Sequence, residues 1–225
     1  MTADRSDERE RILRESSLAF FGAITASVSH ELNNVISIID QTAGLLGDLL
    51  AGARYGRPLT EEQLERLAEK VKNQTGRGVQ FIKRLNTFAH SADEPVREFE
   101  LNQLVENLTA LSDRLAGLKG VTLRVQFTNQ PLKLVNNPFL LQQTLFLIIK
   151  NLLTRSEKND SITVSVSEQD NGGKVLIIAP AKESAEPDRP ENLELLVESL
   201  EGSVKVGSEA ENICYELLIP GIKYR

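Results

Sequence analysis

Apolar positions in the first part of the chain keep a helical period. Ile12, Leu13, Phe20, Phe21, Ile24, Val28, Leu32, Val35, Ile39, Leu46 and Leu49 recur at three- and four-residue spacing and predict one long helix from about Ser6 to Ala53. Gly22, Gly44 and Gly47 weaken it locally, and Gly22, two turns before His30, suits either close helix packing or a bend. Arg54 to Leu59, with Gly56 and Pro58, predicts a turn. Thr60-Glu61-Glu62-Gln63 is a capping box, and Leu64, Leu67, Val71, Val79, Ile82, Leu85 and Phe88 mark a second helix to about His90. Two long helices with a short connection predict an antiparallel hairpin, which buries its apolar stripe when two copies form a four-helix bundle.

The polar stretch Ser91 to Glu98, with Pro95, reads as a linker between residues 1–92 and a second domain over 99–225. There the period becomes mixed. Leu101 to Leu118, Pro138 to Leu153 and Leu193 to Leu200 predict helices; residues 121–127, 162–166, 175–178, 204–206 and 215–219 predict strands. Asp170 to Gly173 predicts a hairpin turn. The fold class is α+β, a helical hairpin followed by a sandwich of helices on a mostly antiparallel sheet.

Composition changes this picture little. The 225 residues are 40% hydrophobic and 26% charged, with net charge −6 and no basic block, which disfavours nucleic acid. The longest apolar runs are short and interrupted by polar residues, so no transmembrane helix is expected, and no membrane partner. The N-terminus carries mixed charge with no signal peptide, and the single cysteine, Cys214, excludes an intrachain disulfide. Both fit a cytoplasmic protein.

The candidate chemistry lies in Ser29-His30-Glu31-Leu32-Asn33-Asn34. On a helix His30 points roughly 160° from the stripe residue Val28, so its imidazole faces solvent or a partner. Asn34 sits one turn on, on the same face, and Glu31 is adjacent, about 100° away. A carboxylate near an imidazole holds the proton of one ring nitrogen and raises the basicity of the other, as a nucleophilic histidine requires. The same residues also suit an ordinary solvated helix face. His90, in the last turn of the second helix, reads as a favourable cation at the helix C-terminus.

Ser-His-Glu-Leu-Asn-Asn, within a long amphipathic helix, resembles the H-box of two-component sensor histidine kinases. The proline the family has five residues after the histidine is Val35 here. The resemblance implies that His30 is the phospho-acceptor, Glu31 its acid/base partner, and Asn34 a residue that positions a phosphoryl group or water. It also implies a homodimer and receiver domains of response regulators as partners. The second domain resembles the family's ATPase domain, from Asn137-Pro138 to Asn151 and from Leu196 to Gly202. Of the family's two asparagines on that helix, the first position is Leu147, and the second, which binds the magnesium of the nucleotide, is Asn151. After the strand ending at Ile178 the family's Asp-x-Gly-x-Gly turn is replaced by Ala179-Pro180-Ala181-Lys182-Glu183, and no glycine occurs between Gly173 and Gly202. Without close backbone amides there is no phosphate cradle. The expectation is a degenerate site: Asn151 a relic, no bound cofactor or metal, and any Mg²⁺ supplied by the receiver. The chain then reads as a phosphorelay histidine phosphotransferase. The alternatives are a non-catalytic pseudokinase scaffold or receiver phosphatase, and, more weakly, an active kinase with an unusual ATP site.

Overall fold

The computed structural model describes residues 2–127, 130–169, 172–181, 189–209 and 211–221. The chain packs as two compact units, one of residues 1–24 with 87–225, the other of residues 25–86.

Residues 25–86 hold parts of two helices, α1 (Thr2–Arg54) and α2 (Glu61–Ala89). The capping box forms: Thr60 Oγ1 accepts from the Gln63 amide at 3.2 Å, and Gln63 Oε1 accepts from the Thr60 amide at 3.1 Å. The helices approach closely at Gly78, which is buried. A Cβ there would stand 3.4 Å from Val35 Cγ1. Gly22, by contrast, makes no close contact: α1 continues unbroken across it and no atom lies within 4 Å of an added Cβ.

Several apolar side chains of these helices stay exposed, among them Ile36 (62%), Leu45, Leu64, Val79 and Ile82 (49%). In addition, an 18-residue window of α1 reaches a mean hydropathy of 1.3 with no more than two charged residues. By length and composition α1 is therefore long and apolar enough to cross a membrane, against the expectation from contiguous runs. The runs are short, but their average over a window is not polar.

The other unit is built on a five-stranded sheet of order β2-β4-β5-β7-β6, where β2 is Thr122–Gln126, β4 Ser161–Gln169, β5 Gly172–Pro180, β6 Ser203–Glu209 and β7 Asn212–Pro220. Only β2 and β4 run parallel. The register aligns Val164, Ile177 and Tyr215 across three strands, and all three are buried. The alternation therefore faces one side of the sheet to the core. Helices α3 (Leu101–Lys119), α4 (Pro138–Arg155) and α5 (Leu193–Ser199) supply the rest of that core. After α5, a Cβ on Gly202 would lie 2.6 Å from the Leu218 carbonyl oxygen, so the chain passes there only as glycine.

The stretch read as a linker is partly structured. It contains a 3-10 turn, His90–Ala92, and the start of a strand, β1 (Arg97–Glu100), paired antiparallel with β3 (Lys133–Asn136). The sequence reading assigned neither strand. Each is four residues long, too short for alternation to be distinguished from loop. Asp170 and Asn171 of the expected hairpin turn lie outside the described residues; Gly172 and Gly173 belong to β5.

Candidate functional site

His30 and Asn34 are both exposed on α1, and their i, i+4 spacing places them on one face. Glu31 is turned differently. Its side chain is only 20% exposed, and its Oε2 lies 3.8 Å from Nη2 of Arg77 on α2. Residues 25–86 thus combine an open imidazole, a carboxamide one turn on, and a carboxylate held near a guanidinium. An accessible imidazole can accept an electrophile at a ring nitrogen.

His90 is placed otherwise. Its Nδ1 lies 2.7 Å from Asp93 Oδ2, an exposed local contact at the end of α2. A histidine paired to the following turn fits its reading as a helix-terminal residue.

In the sheet-bearing unit, α4 opens at Asn137, whose Oδ1 accepts from the Leu140 amide at 3.0 Å, with Pro138 following. Asn136, buried, donates through Nδ2 to the Leu200 and Pro220 carbonyls at 3.1 and 3.0 Å. It ties the start of α4 to the end of α5 and the end of β7.

The start of α1 packs against α4. Phe20 of α1 is buried and meets the rings of Phe88, Phe139 and Phe146, with centroids 5.0 to 5.5 Å apart. Ser17 Oγ donates to Gln143 Oε1 at 2.9 Å, and Gln143 Nε2 donates to Ser16 Oγ at 2.8 Å. Arg9 forms an ion pair with Glu198 of α5. Ala19, Phe20 and Ala23 of α1, with Phe146, Leu147 and Leu196, line a mostly apolar cavity of about 130 Å³ whose rim includes Lys150 and Glu191. Asn151 turns to the sheet: its Oδ1 accepts from the Tyr215 hydroxyl of β7 at 3.1 Å. Among the described residues no group of three or more His, Cys, Asp or Glu is arranged to hold a metal ion.

Sequence reasoning named His30, Glu31, Asn34 and Asn151. The structure keeps the first three together on residues 25–86 and places Asn151 separately, against β7. Sequence reasoning did not find Arg77 or Gln143. The one local signal for Arg77 is its setting between Gly76 and Gly78. Gln143 carries none, because its partners Ser16 and Ser17 are more than a hundred residues away.

No family model matches the chain. It is 19% identical over 176 residues to Sporulation kinase A of Bacillus subtilis, a match covering 78% of this chain and 27% of that protein. The chain spans about a quarter of the length of that relative. Among solved structures it is similar to the histidine kinase ThkA in complex with the response regulator protein TrrA, at a TM-score of 0.49 and 18% identity over 97% of this chain and 66% of that one. It is also similar to the Acinetobacter baumannii histidine kinase AdeS, at 0.48 and 15% over 86% and 98% of the two chains. A bacterial phosphotransferase matches at 0.46 and 11% over 88% and 96%.

Proposed function

We propose that this chain is a phosphorelay protein in which His30 takes a phosphoryl group from the aspartyl phosphate of one receiver domain and gives it to another. The observation that carries the reading is a contrast. The His-Glu-Leu-Asn-Asn turn presents an open imidazole, while the helix that resembles the nucleotide-binding one is engaged by the chain itself.

The residues present do not fit Mg-ATP. Asn151 Oδ1 accepts from the Tyr215 hydroxyl, Leu147 lines an apolar cavity, and Gln143 is held by Ser16 and Ser17. The phospho-donor is then an already activated acyl phosphate, which needs no nucleotide. A ring nitrogen of His30 attacks phosphorus. The P–O bond to the receiver aspartate breaks, the aspartate leaves as carboxylate, and an N–P bond forms. The proton on the other ring nitrogen passes to Glu31 or to water. The receiver supplies Mg²⁺, and this chain supplies orientation.

In this reading residues 1–92 are the dimerisation and phosphotransfer hairpin, and residues 99–225 an ATPase-like domain that no longer binds nucleotide. The exposed Leu64, Val79 and Ile82, which share one face of α2, support a homodimer that buries them in a four-helix bundle. The protein then works in the cytoplasm, and the apolar stretch of α1 serves the bundle. A second reading is favoured by Asn34. An exposed carboxamide on the face of His30 can position water against a receiver's phosphoaspartate, which would make the same site a phosphatase.

The test mixes labelled, phosphorylated receiver domains with the wild-type chain and with His30→Ala. Label on the chain that survives base, is lost in acid and is absent from the variant supports the relay. Label released as free phosphate, with the chain unlabelled, supports the phosphatase. Receivers that bind without either reaction leave a scaffold.

A further inference from the structure

Arg77 stands opposite the candidate site on the neighbouring helix, and its placement has a local cause. Gly78 is buried, with Val35 Cγ1 3.4 Å from where its Cβ would be, so α2 approaches α1 closely one turn beyond Glu31. This brings the Arg77 guanidinium to Glu31: Nη2 lies 3.8 Å from Oε2, while Nη1 donates to Gln74 Oε1 at 3.4 Å. Arg77 is about half exposed, and such a pair adds little to stability. What the pair fixes is direction. Glu31 follows His30 in sequence but points about 100° away from it. Its carboxylate has several rotamers, and a guanidinium held on the facing helix limits them. Phosphorylation of His30 adds negative charge one residue from Glu31, and the guanidinium beside Glu31 offsets the repulsion.

We propose that Arg77 is a positioning residue for the phosphotransfer site, holding the Glu31 carboxylate in place for His30 and offsetting the charge of the phosphorylated state. This rests on the reading of His30 as phospho-acceptor and adds a member on α2 that the H-box stretch does not contain.

The experiment measures His30 labelling by two donors, a phosphorylated receiver domain and the small donor phosphoramidate. With phosphoramidate the P–N bond to ammonia breaks as the bond to His30 forms, so no receiver is involved. Wild type is compared with Arg77→Ala, Arg77→Lys, Glu31→Gln and the double variant Arg77→Ala/Glu31→Gln. Arg66→Ala, at the exposed Arg66–Glu62 pair elsewhere on α2, is the control. The expected result is a maximal rate roughly tenfold lower in Arg77→Ala with both donors, the cost of a misplaced reacting group. The KM for the receiver stays unchanged, Arg77→Lys recovers part of the rate, and Arg66→Ala matches wild type. Adding Arg77→Ala to Glu31→Gln then costs little more, because the two act as one unit. An unchanged rate, an additive double variant, or a rise in KM alone overturns the proposal. If phosphoramidate labels His30 but no receiver does, the relay reading fails while the Arg77 comparison still stands or falls on the phosphoramidate rates.

Discussion

The imidazole of His30 is a side chain whose surroundings leave it open, whereas Asn151 is a side chain already committed. The difference sets two predictions at the residue scale. Tyr215→Phe removes the donor to Asn151 Oδ1 and should lower the unfolding free energy by about 1 kcal/mol, read by urea denaturation, since the acceptor loses a hydrogen bond inside the unit. Were Asn151 instead a metal ligand, the loss would depend on Mg²⁺; here the denaturation midpoint should be the same with and without it. Cys214 offers a second test. Burial, with the charge of Glu209 beside it, pushes its thiol above the usual cysteine value. A raised value keeps the proton on sulfur to higher pH, so at pH 8 the reactive thiolate is scarcer than in a free thiol. Alkylation by iodoacetamide should therefore be slower than that of a cysteine-containing peptide, and should speed up as pH rises further. Both residues were visible in the sequence, but only as types. That Asn151 bonds Tyr215, 64 residues on, is a contact between α4 and β7 and could not be read from spacing.

At the scale of elements, the helices and the long strands were legible because their periods run for many residues. The pairing of β1 with β3 was not, since four-residue strands show too little alternation. Nor was the role of the first turns of α1. The apolar spacing placed Phe20 on a helix face, yet nothing in it says that this face meets α4. The ring cluster of Phe20, Phe88, Phe139 and Phe146 carries that contact. Phe20→Ala should cost about 3–5 kcal/mol, the loss expected for a buried phenyl ring. Hydrogen exchange should speed up at residues 16–24 and along α4, while the box at Thr60 and Gln63 stays protected. Uniform exchange across both would mean that the aromatic cluster is not what holds the start of α1.

At the scale of the whole molecule, residues 25–86 leave Leu64, Val79 and Ile82 exposed on α2. The sequence already carried this signal, because a two-helix hairpin cannot bury both of its stripes. It carried the apolar average of α1 less clearly, hidden by short runs between polar residues. A charge placed on the stripe, Ile82→Glu, should convert a dimer into a monomer by light scattering at micromolar concentration. The same variant should leave the far-ultraviolet spectrum of the chain largely unchanged. A wild-type chain that is monomeric and partitions onto lipid vesicles would assign the apolar face to a membrane instead.

The account turns on where the phosphoryl group comes from. The most direct measurement incubates the purified chain with γ-labelled ATP and Mg²⁺ in one arm and with a labelled, phosphorylated receiver domain in the other, with His30→Ala in both. The account predicts acid-labile label on the wild-type chain from the receiver alone, and none on the variant. Label acquired from ATP at His30, in the absence of any receiver, would contradict it.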